Sequence, residues 1–354
     1  MVMSAQTLEK HTASPGRLAV TGGAGMIGST LVDHLVDAGN DVIVIDDLSR
    51  GRMENLSRVA DRIELREGNL EDPVFAAQAL GDSDFVYHLA SRAYGVGYGQ
   101  GRHLSILRHN EAVTESVLAA LANRPPRKLL VTSSSCVYPD DGPDTIPELP
   151  LFTGEPEYVN RGYGWAKRFL EQKANLFAAE TEVPVVIVRP FNIYSERYHW
   201  AGSSSQAIPM LVRRIMAGED PVVVWGSGKQ RRSYIHADDC ARMMQALMTV
   251  CQESVAVNIG IEETVSVMDL ARMICAAGGV EPALYNDLDK PEGRFVKSAD
   301  MTLFRSLLPN FTLSVPLREG LARMIDWYHV TDFGAAAEGH EGATPSRGGA
   351  LTSP

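Results

Sequence analysis

Tyr163 and Lys167 stand four apart in the run Tyr163-Gly164-Trp165-Ala166-Lys167, a spacing that puts both side chains on one face of a helix. An ammonium beside a phenol favours the phenolate. A phenolate near neutral pH is the group needed to take a proton from an alcohol whose carbon is giving up hydride. Upstream, Ser134-Ser135-Cys136-Val137-Tyr138-Pro139 supplies a serine able to orient that hydroxyl and, two residues on, a thiol. The thiol is a second base, suited to a C–H acidified by a neighbouring carbonyl, and local positive charge is expected to lower its pKa. Tyr-x-x-x-Lys recurs by chance on helix surfaces, so this reading depends on a matching cofactor site.

That site opens the chain. Arg17-Leu18-Ala19-Val20 is a short apolar strand running into Thr21-Gly22-Gly23-Ala24-Gly25-Met26-Ile27-Gly28. A helix follows, with Ile27, Leu31, Leu35 and Val36 at helical spacing. Gly22 and Gly25 allow a sharp turn and close approach of a pyrophosphate, Gly28 lets the helix pack on the sheet, and the helix N-terminus faces the phosphates. After the second strand, Asp41 to Asp46, the Asp46 carboxylate falls where it can bond the adenosine ribose, which favours NAD. Arg50 and Arg52 could instead neutralise a 2′-phosphate, which keeps NADP open.

These residues must be positioned by a parallel sheet. Apolar runs at 62–66, 85–89, 128–132 and 183–188 alternate with helical patterns near 72–80, 110–123 and 162–180, as crossover connections require. Ligands in such sheets gather beyond the carboxyl ends of the strands. Asn69, Leu70, Leu89, Ala90, Ser91 and Ser133 are read there as cofactor neighbours, with Met26 and Ile27. After residue 190 the pattern loosens: a helix at 205–217, strands at 221–225 and 232–236, and a helix at 238–249. The expected fold class is therefore α/β, a Rossmann doubly wound parallel sheet with a smaller interleaved C-terminal lobe. The NAD-binding domain is assigned to 16–190 plus about 230–262, and the substrate lobe to 191–229 and 263–330. Residues 1–15 and the Gly-, Ala- and Ser-rich 331–354 are expected to be disordered.

Length 354 with 45% hydrophobic residues supports a large core, and net charge −11 without a basic run argues against nucleic acid or an anionic membrane as partner. No segment is apolar enough to span a bilayer, and the first fifteen residues lack the apolar core of a signal peptide. Cys136, Cys240, Cys251 and Cys275 show no metal-ligand spacing and read as reduced thiols of a cytoplasmic protein, the last three as packing residues. His88, in an apolar strand, reads as a core histidine.

Over about 16–328 the chain resembles the extended short-chain dehydrogenase/reductase family that remodels nucleotide sugars. The resemblance rests on Thr21 to Gly28, His88-Leu89-Ala90-Ser91, Asn110, Ser134, Tyr163 with Lys167, and Arg189-Pro190-Phe191-Asn192-Ile193-Tyr194. Within the family the Ser-Ser-Cys-x-Tyr-Pro run looks like GDP-mannose 3,5-epimerases and GDP-fucose synthases. It does not look like the Thr-Asp-Glu or Thr-Ser-Glu of 4,6-dehydratases. Tyr94 to Tyr98, with Gly95, Val96 and Gly97, resembles the loop that embraces the sugar in the 3,5-epimerase. Val224-Trp225-Gly226-Ser227-Gly228, Arg232 and Lys290 to Arg294 are similar to the nucleotide- and diphosphate-binding stretches of both GDP-sugar enzymes.

The resemblance implies that Asn110 adjoins the cofactor, that Ser135, Asn192, Trp225, Arg232 and Arg294 contact substrate, and that the working form is a homodimer. Arg197, Arg213 and Arg214 are further choices for the diphosphate, and Trp225 could stack on the base or fill the lobe interface. One departure bears on the outcome. The 3,5-epimerase carries a Trp-Lys-Gly whose lysine is the acid opposite the cysteine; here the stretch reads Trp200-Ala201-Gly202, and the position of the synthase's histidine is Gln206. His199 is the substitute at hand. The implied activity is epimerisation of a GDP-hexose at C5, C3 or both, through a 4-keto intermediate. A nucleotide-sugar dehydratase, a pyranose–furanose mutase or a non-catalytic sugar-nucleotide binder remain the alternatives.

Overall fold

The computed structural model describes residues 16–93, 101–198, 200, 207–290 and 294–331. The expected disordered segments at both ends, the sugar loop with Gly95, Val96 and Gly97, and His199, Ala201, Gly202 and Gln206 lie outside the described residues. Seven parallel strands form the central sheet: β1 (Arg17–Thr21), β2 (Asp41–Asp46), β3 (Ile63–Glu67), β4 (Phe85–His88), β5 (Lys128–Thr132), β6 (Val185–Pro190) and β7 (Val255–Ile259). Their spatial order is β3-β2-β1-β4-β5-β6-β7, so the direction of winding reverses between β1 and β4. Central strands read as continuous apolar runs because both faces are covered, as Val42, Ile43, Val44 and Ile45 show.

The helices are α1 (Met26–Asp37), α2 (Pro73–Leu80), α3 (His103–Asn123), α4 (Arg161–Thr181), α5 (Ala207–Met216), α6 (Ala237–Val250), α7 (Val267–Gly278), α8 (Thr302–Leu307) and α9 (Leu317–Val330). On one face of the sheet, Leu31 and Leu35 of α1 share a core with Met244 and Leu247 of α6. On the other, Leu80 of α2, Val117 of α3 and Leu170 and Phe177 of α4 form a second core. A third core joins Val212 of α5, Leu270 of α7 and Leu321 of α9 around Trp200 and makes the smaller lobe. Because α5 precedes β7 in the chain, the lobe is interleaved with the sheet.

Local chemistry explains where elements begin and break. Asp72 caps α2 by accepting the Val74 N–H at 2.8 Å, with Pro73 supplying a first helical residue that needs no donor. The helix expected from 110 begins at His103, and the strand expected at 183–188 runs Val185–Pro190. The strand expected at 232–236 breaks in two. Arg231–Arg232 pairs with Val296–Lys297 in the lobe, whereas Ile235–His236 pairs with Ile193–Tyr194. Between them the Ser233 carbonyl accepts the Asn192 amide at 2.9 Å, which carries the chain from one sheet to the other.

Candidate active site

A cleft opens beyond the carboxyl ends of the strands, where the winding reverses. Gly22 has φ +69°, and a Cβ there would lie 2.9 Å from the Ala90 backbone. A Cβ on Gly28 would lie 2.1 Å from the Gly22 carbonyl oxygen, so both turn and helix demand glycine. Gly25 enters α1 in extended conformation without a side-chain cap, leaving first-turn N–H groups of α1 at the cleft. The Asp46 carboxylate is buried and accepts the Ala24 and Leu48 N–H groups at 2.9 Å each. Its remaining lone pairs suit a ribose diol.

Gly22, Gly25, Met26, Ile27, Gly28, Asp46, Asn69, Leu70, Leu89, Ala90, Ser91, Tyr163 and Lys167 all line this one cleft. Thr132 Oγ1 is buried at its edge without a hydrogen-bond partner among the described residues. A helix N-terminus, a side-chain-free turn and a fixed carboxylate together fit the diphosphate and ribose of NAD.

Tyr163 and Lys167 come from the first turns of α4. Lys167 Nζ lies 5.4 Å from the centre of the Tyr163 ring and donates to the Thr132 carbonyl at 2.7 Å. The expected lowering of the phenol pKa is absent. Burial pushes the Tyr163 phenol above its ordinary range, and burial also pulls Lys167 down to about 7 against the pull of Glu171. Desolvation is the largest cause in both groups. His88 is buried with Nδ1 2.8 Å from Thr21 Oγ1, and burial holds it neutral by lowering its pKa to about 3.

Ser134 leaves β5 in extended conformation, and its Oγ accepts the Cys136 N–H at 3.1 Å, capping the turn Ser135–Val137. Gly164 lets α4 seat on that turn, since a Cβ there would lie 2.6 Å from the Cys136 carbonyl oxygen. The close approach brings Tyr163 beside Cys136. Here the expected thiol chemistry is reversed. The residue is half-buried, and burial followed by the Glu157 carboxylate pushes the thiol pKa up, although Lys297 acts the other way.

Other residues singled out in the sequence do not line this cleft. The Ser133 hydroxyl is engaged with Glu171, which also forms a buried pair with Arg189 at 2.6 Å. Ser135 is buried within its turn. Asn110 accepts the Arg92 N–H at 2.9 Å and donates to the Ile106 carbonyl at 2.8 Å, fixing the cleft wall after Ser91. Asn192 has φ +34° and is tied to Ser233. Arg294 donates to the carbonyls of Val296 at 2.7 Å and Pro139 at 3.1 Å, and Arg232 to that of Arg231 at 2.9 Å. Trp225 is exposed, with Lys290 Nζ 5.7 Å from its ring centre. Thr132, Asp47, His109 and Tyr198 line the cleft without having been singled out. Asp47 follows Asp46 directly; the others carry no local signal.

Residues 18–260 match the model of the NAD dependent epimerase/dehydratase family. The chain is 28% identical over 316 residues to GDP-L-fucose synthase 1 of Arabidopsis thaliana, covering 88% of this chain and 93% of that one. UDP-glucose 4-epimerase of Thermotoga maritima, solved with UDP-glucose, matches with a TM-score of 0.79 at 25% identity, covering 88% of this chain and 98% of that one. A protein called MoeE5, solved with UDP-glucuronic acid and NAD, matches with a TM-score of 0.75 at 28% identity, covering 89% and 99%.

Proposed function

The chain belongs to the NAD-dependent epimerase/dehydratase family, and we propose that within it the chain is an epimerase of a GDP-hexose that inverts C5, C3 or both through a transient 4-ketone. The observation that carries this reading is the thiol of Cys136, held by the Ser134 turn against the helix that bears Tyr163 and Lys167. A site that only oxidised and reduced C4 would need Ser134, Tyr163 and Lys167. A thiol beside them is chemistry for a neighbouring C–H.

The glycine turn and Asp46 would hold NAD, which would supply the hydride acceptor for C4. Ser134 orients the sugar 4-hydroxyl, and Tyr163 exchanges its proton. The Lys167 ammonium, 5.4 Å from the ring, stabilises the phenolate that Tyr163 must become. With a ketone at C4, the hydrogens on C3 and C5 become acidic, and Cys136 exchanges one of them with solvent. His199 is the partner proposed for the opposite face. Gly95, Val96, Gly97, Ser135 and Asn192 would contact the sugar and its diphosphate. Arg232 and Arg294 would take up the diphosphate and Trp225 the base. A homodimer paired through α3 and α4, in the cytoplasm, completes the reading, and the free cysteines support a reducing compartment.

Incubation with GDP-mannose or GDP-fucose in deuterated water tests this. Deuterium should appear at C3 or C5 of recovered sugar, and Cys136→Ser should abolish it. Product with unlabelled carbons would point to ring contraction, and undiminished labelling in Cys136→Ser would discard the thiol.

A further inference from the structure

Two pairs of residues, each four apart, run side by side along the first turns of α4. Tyr163 and Lys167 line the cleft. Gly164 and Arg168, each one position on, meet the turn that carries Ser134 and Cys136. A Cβ on Gly164 would lie 2.6 Å from the Cys136 carbonyl oxygen, so the helix backbone rests on that carbonyl. Arg168 takes the next one. Its Nε and Nη2 donate together to the Val137 carbonyl at 2.8 and 2.6 Å.

The same guanidinium closes the loop that leaves the turn. Nη2 also donates to the Thr153 carbonyl at 2.9 Å, and Nη1 to the Gly154 carbonyl at 2.6 Å. Between these ends, Thr145–Ile146 pairs with Ser298–Ala299 of the lobe. Arg168 is 1% exposed, with its guanidinium 5.2 Å from the centre of the Trp165 ring. Burying a cation is costly unless its N–H groups are satisfied, and backbone carbonyls satisfy them here. A planar fork reaches both ends of the loop from one point on the helix. An ammonium offers its three N–H groups from a single atom.

The two halves of the site belong to different elements. Tyr163 and Lys167 come from α4, and Ser134 and Cys136 from the turn after β5. The Ser134 hydroxyl holds that turn from within, through the Cys136 N–H. Contact between turn and helix is supplied by Gly164 and Arg168. We propose that Arg168 is a positioning residue that locks the turn Ser134–Val137 to α4 and keeps Ser134 in register with Tyr163. This rests on the reading in which both residues act on one sugar hydroxyl.

Hydrogen exchange of the ligand-free full chain, read by mass spectrometry, tests the grip without turnover. The Val137 and Tyr138 N–H groups bond the Ser134 and Ser135 carbonyls at 3.2 and 3.3 Å. In Arg168→Lys they should exchange at least about tenfold faster, while β1 and β4 keep wild-type protection. Arg168→Gln buries no charge and covers the case in which a buried ammonium prevents folding; it should show the same local loss. Wild-type exchange in the turn, or a uniform rise across the chain, overturns the proposal.

Kinetics test the register. With GDP-mannose, Arg168→Lys should lower kcat at least about tenfold while KM and NAD affinity stay within about threefold of wild type. In a Ser134→Ala background the same substitution should cost less than about threefold, because the hydroxyl it positions is gone. A full tenfold loss there overturns the proposal, since an arginine that only stabilised the fold would act independently of the serine. Absence of epimerised product from wild type would sink the epimerase reading instead, and the exchange comparison would then decide the grip alone.

Discussion

Lys167 sits 5.4 Å from the centre of the Tyr163 ring, yet its Nζ is committed to the Thr132 carbonyl at 2.7 Å. The pair is therefore a poised one. Burial is the largest influence on the resting protonation of both groups.

That burial has a consequence for stability. Burial lowers Lys167 from 10.5 to about 7 in the folded chain, so between these values the unfolded state binds more protons. A depressed folded pKa gives stability that is fully present above the unfolded value and lost as pH falls through the folded one. Urea unfolding of the ligand-free chain should show Lys167's contribution growing from pH 7 to pH 9, by at most about 1.4 kcal/mol per pH unit. Lys167→Met should lose this slope. An identical slope in the variant would mean that the lysine is solvated.

Asp46 accepts two backbone N–H groups and still presents lone pairs to the cleft. Its negative charge would repel a 2′-phosphate. Asp46→Asn keeps the shape and removes the charge. Calorimetric titration should show the NAD-over-NADP preference falling at least about tenfold, roughly 1.4 kcal/mol. An unchanged ratio would assign discrimination to Arg50 or Arg52.

Glu171 neutralises Arg189, with both side chains buried and the Ser133 hydroxyl joined to the pair. Glu171→Gln leaves a buried guanidinium uncompensated and should cost about 3–5 kcal/mol of unfolding free energy. Denaturant melts check it, and a loss below about 1 kcal/mol would show that water or Tyr138 takes over the charge.

Much of the frame was readable because its signals are local. β5 is an apolar run covered on both faces, and Gly28 is required by contacts with Gly22 and Gly23 just upstream of it. Asp46 and Lys167 follow by simple counting along a strand and a helix. What could not be read depends on pairs brought together by folding. Ser133 looked like a cleft residue, but its hydroxyl finds Glu171, thirty-eight positions on. Arg294 was read only for a diphosphate, and its bonds to carbonyls of the loop after the cysteine lie more than 150 positions away. Glu157 gave no signal, because its partners, the Tyr138 carbonyl and Lys297, are brought to it only by folding. The directions of the Tyr163 and Cys136 shifts were missed for one reason: burial cannot be counted along a sequence.

The most direct measurement follows a deuterium placed at C4 of GDP-mannose through complete turnover in ordinary water. If a 4-ketone forms and is reduced again in the same site, the epimerised product should keep its C4 deuterium while exchanging hydrogen at C3 or C5 with solvent. Epimerised product that has lost the C4 label, or that forms with C3 and C5 unexchanged, would contradict the account.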